Sequence, residues 1–199
     1  MTWVTLATED ELSEEIGLCL LREVGLQVGI RLRRGGNGYL KSRIGSFCEM
    51  ARRGGVLVLT DLDKSLCPEA LIQDWLGQRT KPPELSIRVA VREIESWLLA
   101  DHRAMRDLFG VKGMPFPSSP DQLTDPKQTL LKLAREAVKS VRQELLAQPG
   151  SIAAQGLGYN FVLVRTVRTS WAPERAAELS PSLRRSRQRL KELAEQLTA

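Results

Sequence analysis

The segment that decides the fold reads Val56-Leu57-Val58-Leu59-Thr60-Asp61-Leu62-Asp63, a run of β-forming residues that ends in two carboxylates. Apolar residues in unbroken succession are typical of a strand buried on both faces of a parallel sheet. Ligands of open α/β sheets bind just beyond the carboxyl ends of such strands. Asp61 and Asp63, on one side of an extended backbone, are therefore candidate ligands for Mg²⁺ or Mn²⁺. The alternative is local, with Asp61 starting a turn and Asp63 capping the next helix.

The surrounding sequence alternates predicted strands with predicted helices. Besides the segment above, strands are predicted at 3–7, 28–32 and 85–91, and helices at 12–24, 39–53 and 68–76. This alternation predicts an α/β fold with a mostly parallel sheet and helices on both faces. The later helices are predicted at 93–109, with a break near Asp101, and at 126–148, 159–170 and from Ser180 onward. We expect an α/β core of residues 1–110 and a helical C-terminal extension of residues 111–199 packed on it, or one single domain of residues 1–199.

Composition excludes several classes of protein. The 199 residues are 42% hydrophobic and 27% charged, as in ordinary globular proteins, and no apolar run is long enough to span a bilayer. No secretion signal is recognisable at the N-terminus. Three separated cysteines indicate reduced thiols, and hence a cytoplasmic protein with no membrane partner. A single histidine, His102, excludes mechanisms that need a histidine pair.

The net charge of +5 conceals acidic and basic segments. Residues 1–30 contain six acids and one base, and residues 55–101 contain eight acids and five bases. Residues 31–54 contain seven bases and one acid, and residues 102–199 contain sixteen bases and nine acids. An acidic pocket flanked by basic surface suits a polyanion that is brought to a metal, whereas solvated helix faces would explain the same pattern without function.

Two further acidic clusters follow predicted strands. The first contains Glu9, Asp10 and Glu11, and it would face Asp61 and Asp63 if the two strands are neighbours in a parallel sheet. Such a set of carboxylates can bind divalent ions and activate water, although acids also stabilise a helix N-terminus. The second cluster spans residues 93–101, where helical spacing places Glu95 and Asp101 on different faces. They could bind one ion together only if the helix broke between them.

An acid after the first strand and an Asp-x-Asp after a later strand resemble the Toprim fold of topoisomerases, primases and OLD-type nucleases. The chain is similar, more specifically, to small Toprim-like proteins of unassigned function that are related to the OLD nucleases. These proteins often occur beside ATPases in bacterial mobile or defence gene clusters. The stretches that match are Glu9–Glu14, Gly36–Leu40, Thr60–Asp63, Glu93–Asp101, Asp125–Lys127 and Ser180–Arg185.

The resemblance implies a metal-dependent phosphodiester site that uses Mg²⁺ or Mn²⁺. Glu9 would be the Toprim glutamate, Asp61 and Asp63 the two aspartates, and these three the catalytic residues. Glu95 resembles an additional metal-binding acid of OLD-type sites. The Toprim glutamate is usually followed by glycine, but Asp10 stands here. The metal ligand is therefore Glu9 or Glu11.

A basic segment surrounds Gly35-Gly36-Asn37-Gly38. Glycines let backbone N–H groups approach a phosphate, and arginine supplies a bidentate donor. The predicted phosphate- or nucleic-acid-binding residues are Arg31, Arg33, Arg34, Asn37, Lys41, Arg43 and Lys64. The alternative is a turn with solvated arginines. Lys127 occupies the first turn of a helix, an unfavourable place for a cation, and is predicted to have a partner. The basic last helix would bind nucleic acid or an acidic partner, or simply be solvated.

Two functions follow from these expectations. The first is a Toprim-like nuclease, dependent on Mg²⁺ or Mn²⁺, that acts on nucleic acid in defence against phage or foreign DNA and is regulated by a separate ATPase. The second is a non-catalytic Toprim-like subunit that docks on a partner ATPase. A phosphatase or adenylate-handling enzyme is less favoured, because no P-loop and no G-x-G-x-x-G motif is present. The sequence leaves the oligomeric state open, a dimer included.

Overall fold

Four parallel strands form the centre of the protein. They are β1 (Trp3–Thr8), β2 (Gln27–Arg33), β3 (Gly55–Asp61) and β4 (Leu85–Ala90). Their order across the sheet is β2–β1–β3–β4, so β1 and β3 are the central strands. The computed structural model describes residues 3–33 and 35–198. It confirms the predicted α/β fold with a parallel sheet, and each strand lies within one or two residues of its predicted position.

Four helices connect these strands: α1 (Glu11–Glu23), α2 (Asn37–Ser42), α3 (Ile44–Ala51) and α4 (Pro68–Leu76). The Asp10 carboxylate caps α1 by accepting a hydrogen bond from the Ser13 N–H at 2.8 Å. The prediction of a single helix over 39–53 is wrong. The chain leaves the helical conformation at Arg43, so the segment forms two helices, α2 and α3.

The remainder of the described chain is helical apart from its loops. Its helices are α5 (Glu95–Ala100), α6 (His102–Phe109), a 3₁₀ turn (Pro120–Gln122), α7 (Pro126–Ala134), α8 (Lys139–Leu145), α9 (Tyr159–Thr169), α10 (Pro173–Leu179) and α11 (Pro181–Thr198). The predicted break at Asp101 separates α5 from α6. The helix predicted over 126–148 is wrong. Val138 turns to an extended conformation there, and its N–H bonds to the Phe109 carbonyl at the end of α6.

Helices cover both faces of the sheet. Successive side chains of β3 point to opposite faces of the sheet and enter two buried hydrophobic clusters. Leu57 and Leu59 belong to the larger cluster, and Val56 and Val58 belong to the smaller one. Helices α2, α3 and α4 pack on one face of the sheet and form the smaller cluster with its side chains. Helix α1 and the helices of the second half form the larger cluster with the other face. The α/β core and the helical extension therefore share one continuous set of buried side chains.

Two further observations concern the cysteines and the apolar character of the helices. All three cysteines, Cys19, Cys48 and Cys67, are free thiols. Among the described residues, no helix combines the length and the apolar character needed to cross a bilayer.

Candidate metal centre

Acidic residues follow three adjacent strands at the same edge of the sheet. Strand β3 lies between β1 and β4, and all three run parallel. The register pairs Thr8 of β1 with Leu59, and Asp61 with Ala90 of β4. The carboxyl ends of these strands therefore lie side by side. This is the arrangement expected from the sequence for the cluster after β1, which contains Glu9, and the pair Asp61 and Asp63 after β3.

Glu9 binds directly to the end of β3. Its Oε1 accepts a hydrogen bond from the backbone N–H of Asp61 at 3.0 Å and another from the Thr60 hydroxyl. Burial raises the pKa of Glu9 above its usual value, the two hydrogen bonds oppose this effect, and the nearby Asp63 carboxylate adds to it. Glu11, in contrast, is exposed in the first turn of α1, and no described residue bonds to its carboxylate. Of the two predicted candidates, the fold thus brings Glu9 to Asp61.

The Asp61 side chain is partly buried at the end of β3. Its Oδ1 is buried and has no hydrogen-bond partner among the described residues. Burial is the main reason that its pKa lies well above the usual range, and the charges of Glu95 and Glu9 raise it further. A carboxylate with one buried oxygen and like charges around it is costly unless it is protonated or paired with a cation.

Asp63 lies at the exposed rim of the cluster. The chain turns there, with a φ of 48°, and the Asp63 N–H bonds to the Arg92 carbonyl at 3.0 Å. Arg92 in return donates to the carbonyls of Asp63 and Ser65, at 3.1 and 2.9 Å. The Asp63 carboxylate accepts a hydrogen bond from the Asn37 amide at 2.8 Å. The loop after β3 is thereby fixed to the segment after β4.

Glu95 is buried at the start of α5, with 5% of its surface exposed. Its Oε1 accepts a hydrogen bond from the Tyr159 hydroxyl at 2.9 Å. Burial raises the pKa of Glu95 to about 7, against the opposing effects of the Lys127 charge and the Tyr159 hydrogen bond. The Lys127 ammonium lies 5.1 Å from the centre of the Tyr159 ring. This carboxyl group therefore takes up a proton closer to neutral pH than an ordinary glutamate does.

A cavity of about 640 Å³ opens beside the cluster. It is lined by Asn37, Asp63, Lys64, Ser65, Arg92, Glu93, Thr124 and Asp125. Glu93 is held there by the backbone N–H of Lys127, which donates to its Oε2 at 2.8 Å. Two cationic side chains beside carboxylates would suit a phosphate group that approaches a metal ion.

Two of the predicted phosphate-binding residues, Asn37 and Lys64, line this cavity. Three others are engaged elsewhere: Arg31 and Arg33 approach Glu14 at 3.8 and 3.7 Å, and Lys41 pairs with Asp74 at 2.7 Å.

Two predicted phosphate-binding residues remain, Arg43 and Arg34. Arg43 is exposed between α2 and α3 and does not line the cavity. Arg34 lies outside the described residues. The described residues of the basic segment are therefore not all gathered at this cavity.

Sequence reasoning missed Arg92 and Tyr159 as members of the site. Arg92 follows a strand end, which is the one local signal it carries. Tyr159 is 64 residues from Glu95, and nothing in its neighbours points to that contact. Lys127 did give a signal, since a cation in the first turn of a helix needs compensation. Asp101, by contrast, is engaged with Arg175 at 2.7 Å and does not join Glu95.

The donor chemistry of the cluster suits a hard divalent cation, because its ligands are carboxylate oxygens. Over residues 3–33 and 35–198, however, no group of three or more His, Cys, Asp or Glu side chains is arranged to hold one ion. Mg²⁺ is commonly bound by only one or two carboxylates, with waters and substrate phosphates as its other ligands. The unpartnered Oδ1 of Asp61 fits that mode of binding.

Comparisons of this chain with models of known protein families, with curated proteins and with solved structures found no match. The likeness to Toprim-like proteins therefore rests on the sequence motifs alone.

Proposed function

We propose that this protein is a phosphodiester hydrolase, a Toprim-like nuclease, that depends on Mg²⁺ or Mn²⁺ bound at the carboxyl edge of its sheet. The observation that carries the proposal is the Asp61 carboxylate, which has a buried oxygen without a hydrogen-bond donor within residues 3–33 and 35–198. Its neighbours Glu9 and Glu95 raise its pKa further. Groups that are costly in the folded state and clustered at a cleft are characteristic of functional sites.

Each residue of the cluster has a role in this proposal. Asp61, with Glu9 or Glu95, would hold the ion, and Asp63 would meet it from the rim. A bound divalent ion supplies a hydroxide-like nucleophile near neutral pH and stabilises charge on a phosphoryl oxygen. Lys64 and Arg92 line the cavity and would neutralise the phosphate charge. Glu95, whose pKa is about 7, can take up or release a proton near neutrality.

The test uses purified protein with Mn²⁺ and four substrates: supercoiled DNA, linear DNA, single-stranded DNA and RNA. We expect cleavage by the wild type and a loss of at least about 100-fold in Asp61→Asn. The control is Asp74→Asn, which changes an exposed aspartate paired with Lys41. Mn²⁺ binding, measured independently by electron paramagnetic resonance, should weaken in Asp61→Asn alone. Equal cleavage by the wild type and Asp61→Asn would exclude this site as the origin of the activity.

A second function, a non-catalytic binding subunit, is favoured by one observation. Glu9 already uses its Oε1 to hold the end of β3, so its carboxylate has a structural role without any metal. In that case Mn²⁺ would bind weakly or not at all, no substrate would be cleaved, and Asp61→Asn would retain the biological effect. The predicted partner ATPase and the role in defence are proposals that depend on the motif resemblance.

A further inference from the structure

Uncovered apolar side chains are concentrated in the loop before α9 and on the outer face of that helix. Ile152 and Leu157 are fully exposed, and Phe161 is 67% exposed. They are three of the seven large apolar side chains that are exposed within residues 3–33 and 35–198. A single exposed apolar residue is ordinary, whereas three within one short segment are characteristic of a surface that contacts another molecule.

The loop that carries Ile152 and Leu157 is closed at its base by the backbone. The Gly156 N–H donates to the Leu145 carbonyl at 2.9 Å. Gly156 has no room for a side chain, because a Cβ atom there would overlap the Glu144 carbonyl oxygen. The loop is therefore held compactly at the start of α9, with its apolar side chains in solvent.

Phe161 and Arg165 lie one turn apart on the exposed face of α9. The guanidinium carbon of Arg165 is 5.8 Å from the centre of the Phe161 ring. An exposed aromatic ring is a surface on which nucleobases stack, and a neighbouring arginine strengthens such binding. No described carboxylate pairs with Arg165, so its charge remains available for a phosphate.

The segment around this pair is strongly basic. Residues 126–170 contain seven bases and two acids, Glu136 and Glu144. One of the bases, Arg168, is neutralised by Glu15 of α1, and Glu144 lies at the base of the loop. The remaining excess of positive charge favours a polyanion. It disfavours a second copy of this chain, whose matching surface would carry the same charge.

Helix α9 connects this surface to the candidate metal centre. Its first residue, Tyr159, donates a hydrogen bond to Glu95 at 2.9 Å. Phe161 lies about 200° further around the helix and faces solvent. A nucleic acid bound along α9 would therefore place a nucleotide on Phe161 that flanks the phosphodiester bond at the metal centre.

We propose that Phe161 and Arg165, with the apolar loop before them, bind unpaired bases that flank the cleavage site of a nucleic acid. Phe161 would stack on a base, Arg165 would bind the adjacent phosphate, and Ile152 and Leu157 would contact further bases. Paired bases hide their faces in the stack of a duplex, so this surface selects single-stranded DNA or RNA. The inference rests on the proposed nuclease function and names the class of substrate on which it acts.

An anionic lipid surface is another partner that suits a basic and apolar protrusion. Two observations favour a nucleic acid instead. The exposed ring lies beside a guanidinium group, which together suit the face and the phosphate of a nucleotide. The same helix also supplies Tyr159 to the candidate metal centre.

The test measures the fluorescence anisotropy of labelled single-stranded DNA and RNA of about 12 nucleotides with the full-length protein. EDTA is present, so that metal-dependent cleavage does not occur. We expect saturable binding of at least one of the two oligonucleotides. Binding should weaken about 10-fold or more in Phe161→Leu and in Arg165→Gln, and it should persist in Phe161→Trp, which keeps an aromatic ring.

The matched control is Trp3→Leu, which removes an exposed aromatic side chain at the start of β1 and should bind as the wild type does. A blunt duplex of the same sequence should bind more weakly than the single strand, and equally in the wild type and Phe161→Leu. Phe161 is exposed, so its variants should fold.

Four results would overturn the proposal. They are no binding of either oligonucleotide up to about 100 μM protein, equal binding by the wild type and Phe161→Leu, duplex binding as tight and as dependent on Phe161 as that of the single strand, or Phe161-dependent binding to phosphatidylserine vesicles in place of the oligonucleotides.

The design separates this proposal from the nuclease proposal. Asp61→Asn should bind the oligonucleotide in EDTA as the wild type does. Binding that depends on Phe161, without any cleavage in Mn²⁺, would contradict the nuclease proposal alone. Cleavage that depends on Asp61, with binding indifferent to Phe161, would contradict the proposed base-binding surface alone.

Discussion

At the scale of the residue, the acids of this chain divide into paired and unpaired groups. Glu15 pairs with Arg168 and Glu23 with Arg187, so much of the acidic N-terminal segment is explained by ordinary ion pairs. The acids at the carboxyl edge of the sheet have other acids as neighbours instead. This difference in surroundings, rather than the density of acids along the sequence, identifies the candidate site.

The elevated pKa of Glu95 predicts how stability depends on pH. The folded protein binds a proton at Glu95 up to about pH 7, whereas the unfolded chain releases it near the usual value of 4.5. The contribution of Glu95 is thus fully present below about pH 4.5 and is lost as the pH rises through 7. In the wild type, ionisation of Glu95 should lower the free energy of unfolding by at most about 3 kcal/mol between about pH 5 and pH 8. Glu95→Gln should lack this contribution, so its stability should fall less over the same range.

Urea denaturation in EDTA, at several pH values, measures this effect. Glutamine keeps an acceptor for the Tyr159 hydroxyl and carries no charge, so the comparison isolates ionisation. The control Glu195→Gln changes an exposed acid of α11 and should leave the pH dependence as it is. Identical slopes for the wild type and Glu95→Gln would contradict the prediction.

At the scale of the element, one aspartate holds three helices together. Asp101 ends α5 and caps α6, where its Oδ1 accepts from the Ala104 N–H at 3.2 Å. The same carboxylate accepts from the Ala172 N–H at 2.8 Å, before α10, and from Arg175 of α10 at 3.0 and 2.7 Å. It is almost completely buried, so no water can replace these donors.

Asp101→Ala should therefore lower the free energy of unfolding by about 3–5 kcal/mol, because it leaves backbone donors and a guanidinium group without their acceptor. Chemical denaturation measures the loss. The comparison is Asp74→Ala, which breaks an exposed pair with Lys41 and should cost no more than about 1 kcal/mol. A loss for Asp101→Ala as small as that for Asp74→Ala would mean that the carboxylate does not join these helices.

At the scale of the whole molecule, one face of the sheet is covered mainly by helices from the second half of the chain. Leu57 of β3 and Trp97 of α5 belong to the same buried cluster as Leu163 of α9 and Leu190 of α11. The Trp97 indole N–H also bonds to the Ser182 hydroxyl at 2.7 Å, across 85 residues. The helical extension is thus part of the core.

A truncated chain of residues 1–110 should consequently fail to fold, because one face of its sheet would be exposed to water. Circular dichroism and urea denaturation would show no cooperative transition, whereas the full chain should unfold cooperatively. A cooperative transition of the truncated chain would establish residues 1–110 as an independent domain.

The strands, several helix boundaries and the edge at which the acids meet could be predicted from the amino-acid sequence. These features depend on local information: an apolar run at 56–59, a capping Asp10, and the rule that parallel strands present their carboxyl ends together. The helix break at Asp101, between α5 and α6, could also be predicted from neighbouring residues. The split at Val138 could not, since a hydrogen bond to Phe109 stabilises it.

The partners of the charged side chains, in contrast, depend on how distant segments fold together. The fold brings Glu9 rather than Glu11 to the N–H of Asp61, pairs Tyr159 with Glu95, and leaves the Nε of Arg88 without an acceptor among the described residues. The physical reason is distance along the chain. Periodicity and capping act over a few residues, whereas burial and like-charge neighbours arise when segments far apart in the chain pack together. Glu9 lies 52 residues from Asp61 and Glu95 lies 34 residues from it, and these contacts set the chemistry of the candidate metal centre.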